Sequence, residues 1–423
     1  MKLPEKAKKI PVEISRVILG CVFIFSGFVK AVDPLGSAYK FQDYFSSFGL
    51  DSLSFSALPA SLFLSALEFV LGIFLLLAMY RRVTTILTLL FMSFMTCLTL
   101  YLAIANPVSD CGCFGDALVI TNWETFYKNV ILMAFTLATF FWYKLMTPVF
   151  SEKSVSLAAL YTTVFILSIS TYCYGNLPIL DFRPYKIGNN IPEKMIRPEG
   201  APHDVYETSF IYEKDGVKQE FTLDNYPADD PSWKFIDSKS ILVKKGYTPP
   251  IHDFTITTIT GDDITDNVLA DTTYSFLLIS YRLDKANDSD VDKINELYDY
   301  AQRFGYGYYM LTASTPDQIV EWAENTGAEY RICTTDGITL KTIVRSNPGM
   351  MLIKNGTIIN KWAHRNLPVD SRLELPLNET GLGEIAPDKD VQKVFCCAII
   401  LMTPLALLFM LDRIRSKKKK INF

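Results

Sequence analysis

Six long apolar stretches decide most of what this chain can fold into: about Val12 to Ala31, Ala60 to Met79, Thr84 to Ala105, Phe126 to Trp142, Val155 to Cys173 and Val394 to Leu411. A bilayer core of roughly 30 Å takes about 20 such residues per helix, and inside hydrocarbon each segment must satisfy its own backbone polar groups. The six stretches therefore read as transmembrane helices. Tyr80, Trp123, Tyr127, Trp142, Tyr143, Tyr172 and Tyr174 fall at their ends, as an interfacial aromatic belt requires. The hydrophobic share of 49% reflects these spans, while the region between the last two is polar and rich in Asp.

Lys and Arg near the span ends set the orientation. Lys2, Lys6, Lys8 and Lys9 precede the first span, Arg81 and Arg82 join the second to the third, Lys144 and Lys153 join the fourth to the fifth, and Arg413, Arg415 and Lys417 to Lys420 follow the sixth. The opposite short loops hold mainly Lys40 and Lys128. Both termini are thus expected on the cytoplasmic side of a bacterial cytoplasmic membrane, with the first span an uncleaved signal anchor. The terminal Lys run touches anionic lipid headgroups rather than nucleic acid.

This orientation places Asp110-Cys111-Gly112-Cys113-Phe114-Gly115-Asp116 in an external loop close to the bilayer surface. A thiol pair on a disulfide-permissive side is a redox candidate. A disulfide across C-x-C closes a small ring, so such a bond is expected to be oxidising, with Gly112 relieving the backbone. No Lys or Arg lies within the loop, and Asp110 and Asp116 would raise the thiol pKa. The pair is therefore either a redox couple or a brace for a Gly-rich turn. Cys173, at the outer end of the fifth span, is the candidate resolving thiol, with Cys396 and Cys397 at similar depth; Cys21 and Cys97 fall mid-span and read as buried and inert.

Glu68 lies inside the second span, roughly 12 Å below its outer end at 1.5 Å per residue. Ionisable groups at such depth are functional candidates. Lys30 and Arg16 on the first span are its possible cationic partners, either in a structural ion pair or in a proton relay or quinone site.

Arg16, Gly20, Ser26-Gly27-Phe28-Val29-Lys30, Glu68, Gly72, the loop Asp110 to Asp116, Trp123 and Asn129 carry a family likeness. On these residues the first four spans resemble the DoxX and MauE family of four-helix membrane proteins. The resemblance implies disulfide, sulfur or quinone-linked redox chemistry, or maturation of exported partners, without fixing a substrate.

Between the fifth and sixth spans the pattern changes at Pro249-Pro250. Before it, short alternating runs at Asp204 to Tyr212, Gln219 to Leu223 and Ser240 to Lys244 read as a small antiparallel β unit. After it come a hairpin (Asp253 to Ile264), strands at Ser275 to Ser280, Gly307 to Leu311 and Glu329 to Thr334, and helices at Asp288 to Phe304, Pro316 to Thr326 and about Thr339 to Val344. They lead to Asn347-Pro348-Gly349 and an Asn355-Gly356 hairpin. This order resembles the thioredoxin and TlpA pattern, which implies a cis peptide before Pro348 and a peptide-binding groove beside Asn347 and Pro348. The family's C-x-x-C is replaced by Tyr281-Arg282-Leu283-Asp284-Lys285, and Cys333 reads as a core residue. The domain cannot exchange dithiols by itself.

The expected architecture is an α-helical membrane bundle, a four-helix core plus two further spans, carrying an external thioredoxin-like α/β domain. Its divisions are residues 1–150, the fifth span at 151–176, the β unit at 177–250, the α/β domain at 251–383, a linker at 384–393, and the last span with its basic tail at 394–423. His203, His252 and His364 are too scattered for a metal site, and no phosphate-binding loop or nucleophile elbow is present. Two functions stay open. In one, Cys111 and Cys113 pass electrons between an exported protein or thiol client and a lipid-soluble quinone, with no covalently bound cofactor. In the other, a non-enzymatic scaffold presents a redox-inactive peptide-binding domain.

Overall fold

The computed structural model describes residues 5–421, apart from 109, 204, 228, 229, 245 and 370–372. Helices α1 (Glu5–Val32), α3 (Ala57–Leu76), α4 (Arg81–Ala105), α5 (Asn122–Phe141) and α6 (Glu152–Gly175) form the bundle, and α12 (Asp390–Ile421) lies against α6. Among the described residues five helices are long and apolar enough to cross a membrane. The fourth expected span, α5, is not one of the five, because Asn122, Glu124, Lys128 and Asn129 dilute its first turns. It is nevertheless a 20-residue helix packed along α4, with Asn129 Nδ2 donating to Thr99 Oγ1 at 3.1 Å.

Small residues bring α1 and α3 into backbone contact. A Cβ on Gly27 would fall 2.4 Å from the Phe69 nitrogen, and one on Gly72 would fall 2.6 Å from the Ile24 nitrogen. Close approach at small residues is how helices associate where lipid offers no hydrophobic drive. The α6–α12 contact is tied at its inner end by Asp412, which accepts from the Ser151 backbone nitrogen at 2.9 Å and from Ser154 Oγ at 2.7 Å.

Hydropathy did not mark α2 (Pro34–Ser47), an aromatic-rich helix begun by Asp33 and Pro34 in the stretch between the first two spans. It supplies Tyr39, Lys40 and Tyr44 to the region above the bundle.

The region between α6 and α12 holds two sheets. β1 (Val205–Lys214), β2 (Val217–Thr222) and β3 (Lys234–Lys244) form the antiparallel unit in the order β2-β1-β3, turned at Asp215-Gly216 with positive φ at both residues. The second sheet is mixed, in the order β4-β7-β6-β5-β8-β9, from Thr257–Thr258, Arg331–Thr334, Gly307–Thr312, Ser275–Ser280, Gly349–Lys354 and Thr357–Ala363. Its centre, β5, is wholly buried. Alternate residues feed two cores: Phe276 and Leu278 pack with α9 (Val291–Phe304) and α10 (Pro316–Thr326), and Leu277 and Ile279 pack with Cys333 and α11 (Gly337–Ile343). Three parallel strands followed by an antiparallel pair led by cis Asn347-Pro348 give the thioredoxin-like arrangement.

One boundary differs from the sequence reading. Tyr185 and Ile191, the latter in the short α7 (Ile191–Met195), belong to the α/β core, and the Gly188 and Ile191 nitrogens donate to Ile358 and Gly356. The three-stranded unit is thus an excursion out of the α/β domain, which also includes the short α8 (Thr265–Leu269). Too little apolar periodicity marks a segment that adds only a few core contacts.

Replacing Gly27 by Val should force α1 and α3 apart and lower stability by about 1–3 kcal/mol. Thermal unfolding in detergent, compared with an Ala substitution at lipid-exposed Cys21, checks this.

Candidate functional site

The loop between α4 and α5 starts at Asn106, whose left-handed conformation ends α4, and finishes at Thr121, whose side chain forms a capping box with Glu124. Within it Gly112 has φ +65°, its nitrogen donates to Asp110 Oδ1 at 2.9 Å, and its carbonyl accepts from the Gly115 nitrogen. A left-handed residue at this position favours glycine. The turn brings Cys111 Sγ and Cys113 Sγ to 3.0 Å as free thiols. Both residues are only 8% exposed, in a small apolar cluster with Leu102, Tyr44 and Met95. The pair lies in the loop that joins α4 to α5, and it is covered.

Beneath the loop lies a buried polar cluster. Lys30 and Glu68, 6% and 4% exposed, pair at 2.8 Å. Lys30 Nζ also donates to Ser26 Oγ at 2.7 Å and to the Cys113 carbonyl at 2.5 Å, while Ser26 Oγ lies 2.7 Å from Glu68 Oε2 and 2.8 Å from the same carbonyl. Glu68 is therefore partnered by Lys30. Arg16 is elsewhere: it bonds Glu13 and the carbonyls of Leu75 and Leu76, capping the inner end of α3. Fourteen residues separate it from Lys30, about 21 Å along a helix, so it cannot share a site with Glu68. Ser26 was not assigned a role from sequence, although its position one turn before Lys30 places both on one helix face.

Helix α2 grips the loop from the other side. Tyr44 Oη donates to the Cys111 carbonyl at 2.7 Å, and Lys40 pairs with Asp110 at 2.7 Å. From α5, Lys128 Nζ lies 4.3 Å from the centre of the Phe114 ring.

The two sulfurs differ electrostatically. The Cys111 thiol hydrogen-bonds to the Cys113 sulfur and brings the Cys113 pKa down to about 6, against the opposing effect of burial and with help from Lys128 and Lys30. The same bond and burial push Cys111 far up. The proton stays on Cys111, and Cys113 is the thiolate sulfur. The absence of cations within the loop is thus made good by lysines on α1 and α5, which only tertiary packing brings near.

Both cysteines line a cavity of about 350 Å³ whose walls include Phe41, Phe45, Leu67, Phe91 and Phe94 together with Lys30 and Glu68. On the outer side of the loop, Gly112 and Asp116 border a second cavity of about 250 Å³, closed above by Lys341 and Arg345 of the α/β domain.

Other expectations are corrected. Cys173 is buried in α6 with Cys397 and the Ile179 backbone near its sulfur, not the loop pair. Cys21 and Cys97 are exposed on the outside of the bundle, because their helix faces point to lipid rather than to the helix contacts. Pro348 is buried, and the Asn347 carbonyl, which an added peptide strand would need, accepts from the Asn287 nitrogen at 2.9 Å. The Asn347 side chain is held by Ser280 Oγ at 2.7 Å and the Arg282 carbonyl at 2.9 Å. Cys333 is in the core, as expected. Among the described residues no cluster of His, Cys, Asp and Glu could hold a metal ion.

Comparison with known proteins agrees with this division. Residues 8–143, which contain α2 to α5 and nearly all of α1, match the family described as Methylamine utilisation protein MauE. Residues 206–245, the three-stranded unit, match Domain of unknown function (DUF8463). A solution structure from Bacteroides thetaiotaomicron, provisionally named a protein disulfide isomerase, is 16% identical over 27% of this chain and 76% of its own, with a TM-score of 0.22. No curated protein matches the chain. The helical region is thus similar to MauE, while the thioredoxin-like reading of the α/β domain rests on its own strand order and cis Asn347-Pro348, without the C-x-x-C.

Alkylation of reduced Cys113 by iodoacetamide should rise with pH through a midpoint of about 6 and level off above it, since only the thiolate reacts. Lys128→Met removes a cation that favours the thiolate and should move the midpoint up by about 1 pH unit. A pH–rate profile read by peptide mass spectrometry checks both.

Proposed function

We propose that this chain is a membrane-bound thiol oxidoreductase that carries electrons from an exported thiol client to a lipid-soluble quinone through Cys111 and Cys113. The observation that carries the reading is the position of one activated sulfur and its partner, 3.0 Å apart, in the wall of an apolar cavity. The cavity suits a quinone ring: aromatic and aliphatic walls, a few hundred Å³ of space, and few polar groups. A bound quinone would take up two electrons and two protons as quinol, while the dithiol becomes the Cys111–Cys113 disulfide. Exchange with a client dithiol then restores both thiols and leaves the client oxidised. Cys113 supplies the thiolate and Cys111 the second sulfur and one proton; the quinol's second proton comes from solvent and is returned there when the client dithiol regenerates the Cys113 thiolate. Lys30 and Ser26, both anchored on Glu68, hold the Cys113 carbonyl and keep the loop still as charge changes beside it, and Tyr44 does the same at Cys111.

We place the protein in a bacterial cytoplasmic membrane with both ends cytoplasmic and the thiol loop and α/β region outside. A cysteine introduced at Ser416 should then resist a membrane-impermeant maleimide in intact spheroplasts, whereas one at Glu384 should react; the opposite pattern inverts the topology.

The scaffold reading draws support from the α/β domain, where Tyr281 follows the central strand in place of a thiol. Redox trapping separates the two. If the pair turns over, alkylation of cell extracts should find both oxidised and reduced protein, in proportions that shift when quinones are depleted, and Cys111→Ser and Cys113→Ser should abolish turnover at normal abundance. A single redox state regardless of respiration, with serine variants that lose stability instead, would establish a static brace.

A further inference from the structure

Thiol exchange with a protein client requires a sulfur that the client's own sulfur can approach in line. In this structure the two sulfurs face the apolar cavity, and the outer side of their loop is roofed by the α/β domain. The roof is fastened to the loop itself. Arg345, two residues before Asn347, is 6% exposed; its Nη2 lies 2.9 Å from Asp33 at the α1–α2 junction and 3.0 Å from Asp116 in the thiol loop. Nε donates to both Asp33 oxygens, and the guanidinium lies 5.5 Å from the Tyr39 ring centre. The Tyr39 ring in turn meets Tyr281 edge-on at 6.1 Å, and Lys341 sits over both rings.

What is missing from this interface is an apolar core. Among the described residues, the two α/β clusters draw only on residues from Leu177 onward, and the bundle clusters draw only on the helices, the turns that join them and the thiol loop. Two cavities of about 250 and 260 Å³ interrupt the contact. Polar, cavity-bearing interfaces joined by a few charged contacts are those at which domains move. The contrast with the α1–α3 crossing, where backbones touch, is direct.

We infer that the α/β domain is a lid over the thiol pair, latched to the redox loop by Arg345 through Asp33 and Asp116. This rests on the redox reading above for its purpose but not for its test. Latched, the thiols face the apolar cavity alone; released, the outer side of the loop opens to a thiol client. The domain's one cysteine, Cys333, is buried in its core, so the lid brings no accessible thiol to the pair it covers. Arg345 is a positioning residue and touches neither sulfur.

The experiment uses the full-length protein in nanodiscs, reduced, with two probes. One is a sulfonated maleimide, whose modification of the Cys111–Cys113 peptide is followed by mass spectrometry; the other is a short-chain benzoquinone, which reaches the pair from the apolar side. Arg345→Gln and Asp116→Asn should each speed maleimide modification at least tenfold, while oxidation by the quinone stays within twofold of wild type. Arg345→Lys, which keeps one charge but loses the fork that spans both carboxylates, should fall between. Modification of both variants at the wild-type rate would overturn the lid, as would a parallel change in both probes, which marks a disrupted loop. If the wild-type pair does not react with the quinone, the redox reading fails instead, and the maleimide rates still decide whether the lid exists.

Discussion

Everything at the thiol site depends on one buried ion pair. Lys30 and Glu68 come from different helices and meet because Gly27 and Gly72 let α1 and α3 approach until backbone touches side-chain-free backbone. Removing one partner of such a pair leaves an uncompensated charge and costs about 3–5 kcal/mol. Here the pair does more than lock two helices, because the lysine's remaining protons go to Ser26 and the Cys113 carbonyl. The charge cluster is the floor on which the thiol loop rests, and its geometry sets where the sulfurs lie.

The loop is held from three directions with different chemistry. Below it are the ammonium and carboxylate, on one side the Tyr44 hydroxyl and Lys40 of α2, and on the other Lys128 of α5. A loop so gripped keeps two sulfurs in near contact and unequal: one keeps the shared proton and the other carries the charge. The grip also separates two spaces. An apolar cavity is walled by the helices and a polar one is closed by the α/β domain, so the two partners of a thiol relay would meet the loop from different spaces.

The α/β domain keeps the architecture of a thiol-exchange domain and has lost the groups that perform it. Tyr281 follows β5 where C-x-x-C would stand and packs on Tyr39, and the Asn347 carbonyl beside cis-Pro348 is taken by the Asn287 nitrogen. What remains is a surface with Arg345 at its edge. That face meets the helical bundle through Arg345 and Tyr281.

Much of this was legible in the sequence because it is written in local patterns. Apolar length marks the spans, short alternating runs mark the β1–β3 unit, a continuous apolar run marks β5, and the Asn347-Pro348 step marks the start of β8; the C-x-C motif and Glu68 stood out because each is chemically improbable at its place. Less was legible where function rests on contacts between distant segments. Helix α2 is too polar for a hydropathy scan, α5 is diluted by its polar first turns, and the Tyr185 to Met195 segment joins a core whose other members lie far along the chain. Sequence alone determined that this is a membrane bundle with a thiol pair in the loop before its fourth span and a thioredoxin-like domain without C-x-x-C. Only the tertiary structure decided that Lys30 rather than Arg16 neutralises Glu68, that Lys30 and Lys128 activate Cys113, and that Arg345 lies over the loop. A charge acts through space over a few ångströms, and no spacing along the chain reports which charges the fold will bring together.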